Sequence, residues 1–282
     1  MKGLEAKETA LYRRLRAYGS AVIAFSGGVD SSVLLAAASK ILPGGKLLAV
    51  SARSATYPAA ELRLARAIAR KLKVRHRVID TGEFANPAFV ANPPRRCYYC
   101  KSELFSELRE IARQEGFAVV LDGTNLDDRG DVRPGRRAAK ECGVRSPLLE
   151  ARLNKSDLRA LARKYGLPNW NKPAAACLAS RIPYGTRLDK RLLAKVDEAE
   201  RVLTRLGFCQ IRVRHHGDIA RIEIAPEEFS RMIRPATARR VVQGLRKLGY
   251  RYVTLDLAGY RTGSMNPNRA IQNSKCKVQS AK

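Results

Sequence analysis

The fold is decided near the amino terminus by the stretch AVIAFSGGVDSS, which occupies residues 21–32. Its first five residues are a short apolar run of the kind that forms a buried parallel strand. The polar part that follows leads into the helix-forming run 33–38. Glycines let a backbone fold closely around an anion, and the start of a helix offers unpaired N–H groups. The stretch therefore predicts a phosphate-binding loop between a strand and a helix.

The loop has its own chemistry. It is not a Walker A loop, because no Gly-Lys-Ser/Thr follows it. Asp30 would repel a bare phosphate, so we expect Mg²⁺ between the two. A glycine turn that merely opens a helix is the alternative, and the complete strand–turn–helix context favours phosphate binding. The residues expected at the anion are Ser26, Gly27, Gly28, Asp30, Ser31 and Ser32.

The first part of the chain alternates strands with helices. Strands are predicted at 46–51, 74–80 and 118–122, and helices at 58–71, 103–114 and 156–165. This alternation predicts an α/β fold with an open, Rossmann-like parallel sheet that binds its ligand at the carboxyl ends of the strands.

The pattern changes after about Tyr184. A long helix at 188–206 precedes a hairpin of strands 210–216 and 220–225, a helical region 226–248 broken near Pro235, and a strand at 252–256. We therefore expect a PP-loop-type domain at 1–184, a smaller α+β domain at 185–266 and a basic tail at 267–282.

Composition narrows the class of protein. The 282 residues include 54 Lys and Arg against 26 Asp and Glu, a net charge of +28 that favours anionic partners. No apolar run approaches the roughly 20 residues of a membrane span, and the amino terminus does not resemble a signal peptide. Six cysteines are too few for a disulfide scaffold. We therefore expect a cytoplasmic protein without a membrane partner.

Three cysteines are candidates for chemistry. Cys97 and Cys100 form a C-x-x-C between arginines and Lys101, and Cys177 stands alone. Neighbouring cationic groups favour the thiolate. The thiols could be buried core, half of a zinc site that lacks a second C-x-x-C, or three ligands of a [4Fe–4S] cluster with one open iron. Three others are interpreted as structural: Cys142, Cys209 and Cys276.

The hairpin has a charged face. Alternation along its first strand places Arg212 and Arg214 opposite Ile211 and Val213, and pairing would put Glu223 on the arginine face. Neighbouring arginines suit a phosphate. A solvated face balanced by acidic neighbours is an equal alternative on the pattern alone.

The loop resembles the PP-loop of the N-type ATP pyrophosphatases, which split ATP into AMP and pyrophosphate. The wider set of motifs resembles the LarE family, the ATP-dependent sulfurtransferases of nickel-pincer nucleotide cofactor synthesis. Those motifs lie at residues 92–101, 122–129, 133–136, 177–185 and 255–266.

The resemblance implies a reaction and a set of residues. The family adenylates a pyridinium carboxylate mononucleotide and replaces the activated oxygen with sulfur, twice. ATP and Mg²⁺ are implied as cofactors, Asp30, Lys101 and Cys177 as catalytic residues, and Ser51, Arg53, Gly123 and Thr124 as further ATP-binding residues. The residues implied near the substrate phosphate are Arg181, Glu200, Arg212, Arg214 and Glu223, with a metal conceivable at the two glutamates.

The family has two branches. In one, the cysteine at the position of Cys177 gives up its own sulfur and becomes dehydroalanine. In the other, three cysteines hold a [4Fe–4S] cluster that delivers sulfide. Because Cys97 and Cys100 accompany Cys177, we expect the cluster branch, in a homo-oligomer. A PP-loop tRNA thiolase and a non-catalytic nucleotide sensor are the rivals, and the absence of a separate RNA-binding module argues against nucleic acid.

Overall fold

The computed structural model describes residues 2–130, 134–173 and 176–261. The chain forms two compact units that divide between Ala176 and Cys177. Arg181 is paired with Glu200 inside the second unit. The domain boundary expected at 184/185 stays a prediction. The expected basic tail at 267–282, with Cys276, lies outside the described residues.

The first unit is built on a parallel sheet of four strands. They are β1 (Ala21–Ala24), β2 (Leu47–Arg53), β3 (Arg75–Asp80) and β4 (Val119–Leu121). Their order is β3-β2-β1-β4, and every neighbouring pair is parallel. The predicted Rossmann-like α/β fold is confirmed.

Helices cover both faces of this sheet. Along β1, Ile23 packs with Leu34 on one face, and Val22 packs with Phe105 on the other, all of them buried. A strand covered on both faces needs an unbroken apolar run, which explains its sequence. The helices are α1 (Lys2–Tyr18), α2 (Val29–Ile41), α3 (Ala59–Lys71), α4 (Pro87–Val90), α5 (Arg96–Gln114), α6 (Pro134–Glu141), α7 (Pro147–Glu150) and α8 (Lys155–Lys164).

Helix α5 begins earlier than the sequence predicted. It starts at Arg96 rather than at residue 103, so the C-x-x-C is helical. Pro93 and Pro94 precede it and favour a non-helical approach, since the residue before a proline avoids the α conformation.

The second unit is a smaller α+β structure, as predicted. Strand β5 (Ile211–His216) pairs antiparallel with β6 (Ile219–Ile224), which pairs in parallel with β7 (Tyr252–Leu255). Gly217, with φ of 60°, makes the tight hairpin turn between β5 and β6. The helices are α9 (Lys190–Arg205), α10 (Phe229–Met232) and α11 (Pro235–Lys247). None of the helices described here is long and apolar enough to cross a membrane.

Candidate active site

The predicted phosphate loop has the backbone of an anion site. Gly27 has φ of 71°, and a Cβ there would lie 3.1 Å from backbone atoms of Ala65. Glycine is therefore required by both conformation and space. Helix α2 begins at Val29, and Gly28 before it offers no side-chain cap. The start of a helix presents N–H groups of its first turn, which is where anions bind in proteins.

Serine hydroxyls of the loop maintain its shape. Ser31 Oγ donates to the Gly28 carbonyl (3.2 Å) and accepts from the Ser26 N–H (3.3 Å). Ser26 Oγ lies 3.1 Å from Ser31 Oγ and accepts from the Gly28 N–H. In this structure the two hydroxyls bind the loop itself, and their contact with phosphate remains a prediction.

The end of β4 lies against the same helix start. A Cβ on Gly123 would lie 3.0 Å from the Ser31 nitrogen, so glycine permits the close approach. Asn125, fully buried, donates to the Asp30 carboxylate at 3.0 Å. Thr124 donates to Asp122 at 2.7 Å. The sequence analysis gave Asn125 no role, although it directly follows the predicted Gly-Thr pair.

The expected adenosine residues have partners within the sheet. Ser51 is buried and donates to the Phe25 carbonyl at 2.6 Å, which ties β2 to the end of β1. Arg53 is exposed and forms a bidentate pair with Asp80, and the hydrogen bonds from Arg53 lower the pKa of that carboxyl. Contact of either residue with a nucleotide stays a prediction.

The C-x-x-C lies at the start of α5. Three residues apart on a helix, Cys97 and Cys100 share one side of it, the first exposed and the second partly buried. A cleft of about 220 Å³ nearby is lined by Arg95, Tyr98, Tyr99, Pro134 and Arg137. Lys101, also exposed, has its ammonium 5.3 Å from the Phe105 ring centre.

These thiols fit part of a cluster site. Thiolates are the usual ligands of iron–sulfur clusters, and one helical turn supplies two of them here. Cys177 begins the second unit. Within residues 2–130, 134–173 and 176–261, no three His, Cys, Asp or Glu side chains are grouped to hold a metal ion. The cluster therefore stays a prediction that rests on residue type.

In the second unit, the chain after Cys177 is fixed by a buried ion pair. Arg181 is 2 % exposed and pairs with both oxygens of Glu200, at 2.9 and 3.0 Å. The same guanidinium donates to the Cys177 carbonyl at 3.0 Å, and Glu200 also accepts from the Val213 N–H. Arg181 and Glu200 thus position the main chain of the candidate sulfur donor.

A second buried pair lies on the hairpin. The register pairs Arg212 with Glu223 and Arg214 with Arg221, so the predicted charged face is confirmed. Glu223 is 0 % exposed and accepts from Arg214 at 2.7 and 3.0 Å. Arg214 also donates to the Ser180 carbonyl at 2.9 Å. Its guanidinium is therefore balanced by a carboxylate rather than open, which the alternation could not show.

Arg212 has different surroundings. It donates to the Ile211 carbonyl and to the Tyr260 hydroxyl (3.2 Å), and it lies 5.0 Å from the Tyr260 ring centre. Burial lowers the pKa of Arg212, and the nearby charge of Arg181 lowers it further. Tyr260 had no role in the sequence analysis. The expected motif positions Arg133 and 262–266 lie outside the described residues.

Comparison with known proteins places this geometry in a family. Residues 4–124, which include the phosphate loop, match the asparagine synthase family. The chain is 40% identical over 266 residues to the pyridinium-3,5-bisthiocarboxylic acid mononucleotide synthase of Lactiplantibacillus plantarum, covering 94% of this chain and 96% of that protein.

Two uncharacterized proteins are also similar. One from Synechocystis is 42% identical over 263 residues (93% of this chain, 98% of that protein), and one from Methanocaldococcus jannaschii is 29% identical over 241 residues (86% and 90%). The chain has a PP-loop after the first strand of its sheet, and it aligns with the synthase over nearly its whole length. It therefore belongs to the LarE family of ATP-dependent sulfurtransferases.

Proposed function

We propose that this protein adenylates the carboxylates of a pyridinium dicarboxylate mononucleotide and converts them to thiocarboxylates for the nickel-pincer nucleotide cofactor. One observation carries the proposal: a helix start preceded by left-handed Gly27, in a chain aligned over 94% of its length with the synthase. ATP use follows from the family, whereas the identity of the pyridinium substrate belongs to this proposal.

The first half-reaction activates a poor electrophile. A substrate carboxylate oxygen attacks the α-phosphorus of ATP, pyrophosphate leaves, and an acyl-adenylate forms. The N–H groups at the start of α2 stabilise the charge that grows on pyrophosphate. Asp30, a hard oxygen ligand at the same helix start, is suited to hold Mg²⁺, which would neutralise phosphate charge when bound.

The second half-reaction replaces AMP with sulfur. In the route through Cys177, its thiolate attacks the acyl carbon and AMP leaves with the electrons of the C–O bond. Loss of the Cα proton and cleavage of the Cβ–S bond then release the thiocarboxylate and leave dehydroalanine. In the route that we favour, Cys97, Cys100 and Cys177 would hold a [4Fe–4S] cluster, which would supply the sulfide. The two helical thiols support this preference, because the sacrificial route gives them no task.

Anaerobic reconstitution with iron and sulfide tests the proposal. We expect pyrophosphate release that depends on the pyridinium substrate, repeated turnover and an unchanged protein mass. Cys97→Ser should lose the cluster absorption, whereas Cys209→Ser, which alters an exposed cysteine in the second unit, should keep it. A mass decrease equal to hydrogen sulfide after one turnover would instead support donation by Cys177. No substrate-dependent pyrophosphate release would refute the function itself.

The net charge of +28 suits binding of a polyanion such as tRNA. Thiolation of tRNA is therefore the second candidate activity. A salt-sensitive complex with tRNA, and thiolated tRNA as product, would support that alternative. We also propose a homo-oligomer, which light scattering of the purified protein would test.

A further inference from the structure

Successive carbonyls of the phosphate loop are each hydrogen-bonded. The Ser26 carbonyl accepts from the Tyr57 hydroxyl, and the Gly27 carbonyl accepts from Asn169 Nδ2 at 2.8 Å. The Gly28 carbonyl accepts from the Ser32 N–H at 2.9 Å, which begins helix α2. A carbonyl oxygen directed at an anion would repel it, so these donors favour a loop whose carbonyls are held away from the anion.

Asn169 contacts the phosphate loop although it lies far from it in the sequence. It lies 142 positions from Gly27 in the sequence, after helix α8, and is 2 % exposed. The same Nδ2 donates to the fully buried Ser32 hydroxyl at 3.0 Å. Because a main-chain carbonyl can only accept, the NH₂ end of the amide must face Gly27. The chemistry of the partners thus fixes the orientation of Asn169.

The carbonyl end of the Asn169 amide is in an unfavourable environment. Asn169 Oδ1 is buried and has no hydrogen-bond partner in the described part of the chain. A buried acceptor without a partner is unfavourable, because it has lost its hydrogen bonds to water. Both hydrogen bonds of the side chain therefore come from its NH₂ end, and they go to Gly27 and Ser32 of the loop and helix start.

The segment that carries Asn169 is itself held in place. Lys172 pairs with Glu61 of α3 at 2.6 Å, and its N–H donates to the Asn169 carbonyl. Ala65, on the same helix, closes the space beside Gly27. Helix α3 and the Asn169 segment therefore support the loop together.

We infer that Asn169 is a positioning residue of the phosphate loop, holding the Gly27 carbonyl so that the loop can bind the pyrophosphate part of ATP. The inference rests on the proposed function in that it takes ATP as the ligand. Asn169 acts through Gly27 and Ser32 and has no role in sulfur transfer.

The test is Asn169→Asp, which keeps the shape of the side chain but replaces the donor with an acceptor. Binding of pyrophosphate, ATP and AMP to the full chain is measured by calorimetry with Mg²⁺. We expect the Kd for pyrophosphate and for ATP to rise about tenfold or more relative to the wild-type protein, because buried hydrogen bonds are lost. The Kd for AMP should be unchanged. KM for ATP should rise more than kcat falls.

Asn171→Asp is the matched control, because it adds the same charge to an exposed position of the same segment. It should leave the affinities for all three ligands unchanged. If Asn169→Asp fails to fold, Asn169→Ala replaces it, with weaker pyrophosphate binding again expected.

Two results overturn the inference while leaving the proposed function intact. One is binding of pyrophosphate by Asn169→Asp with wild-type affinity. The other is an equal loss for pyrophosphate, ATP and AMP, which marks a general structural effect. Failure of the wild-type protein to bind ATP or pyrophosphate would overturn the proposed function as well.

Discussion

Replacing Glu223 with glutamine should destabilise the second unit severely. The carboxylate is 0 % exposed and receives two hydrogen bonds from Arg214, which is itself 4 % exposed. In Glu223→Gln one of these donors would face an amide NH₂, and the guanidinium would remain buried without its countercharge. Breaking a buried ion pair by removing one partner costs about 3–5 kcal/mol. We expect the free energy of unfolding to fall by that amount.

The matched control is Glu198→Gln on helix α9. Its side chain is 32% exposed and pairs with Arg201 at 3.3 Å and Arg205 at 2.8 Å. Surface ion pairs contribute about 0–1 kcal/mol, so this loss should be several times smaller. Burial, rather than the number of ion pairs, accounts for the difference.

Urea denaturation followed by far-UV circular dichroism measures both variants. The single tryptophan, Trp170, lies in the first unit, and its fluorescence reports that unit separately. A loss below about 1 kcal/mol in Glu223→Gln would refute the reasoning. A double replacement of Arg214 and Glu223 by methionine should recover much of the stability, because it removes both buried charges together. A double variant less stable than Glu223→Gln would also contradict it.

Three further changes test other parts of the structure. Gly123→Ala places a Cβ 3.0 Å from the Ser31 nitrogen, so calorimetry should show pyrophosphate binding about tenfold weaker, whereas Gly3→Ala, with open space around it, should not change it. Burial raises the pKa of Glu8, but hydrogen bonds from Lys164 and two tyrosines more than offset it and lower the pKa overall. Glu8→Gln should therefore lose roughly 1–3 kcal/mol at pH 7 in urea denaturation, and the loss should shrink as the pH falls below the ordinary glutamate pKa and through the lower folded one. Burial lowers the pKa of all three histidines, so the unfolded chain takes up protons at a higher pH than the folded chain does. The urea midpoint should therefore fall as the pH drops below about 6.5. This pH dependence should be weaker in a variant with glutamine at His76, His215 and His216.

The fold could be predicted where local pattern and burial agree. The apolar run of β1 and the alternation of β5 each predicted a strand. A strand covered on both faces has apolar residues at every position, and a strand covered on one face has them at every second position. Helix α1 was not predicted. Its buried residues Leu11 and Leu15 are one helical turn apart, but the charged residues around them mask that spacing in the sequence.

The phosphate loop could be predicted because its parts are contiguous in the sequence. The residues that were missed act over distance: Asn125 lies 95 positions from Asp30, and Tyr260 lies 48 from Arg212. Asparagine and tyrosine are common in loops and at surfaces, so residue type alone gives no signal. Tertiary structure assigns these side chains their partners.

The charged face of the hairpin had two interpretations from sequence, phosphate binding or a solvated face balanced by acidic neighbours. In the structure Glu223 and Arg214 of this face are buried. Glu223 balances Arg214 in a buried pair, so that arginine already has its anion. The pKa of Arg212 is lowered by burial and by the repulsion of the nearby Arg181 charge. A phosphate beside Arg212 would relieve that repulsion, since an opposite charge stabilises the cation. Of the two arginines, we therefore expect Arg212 to contribute most of the affinity for substrate phosphate, and Arg214 to support it through Glu223 and Ser180.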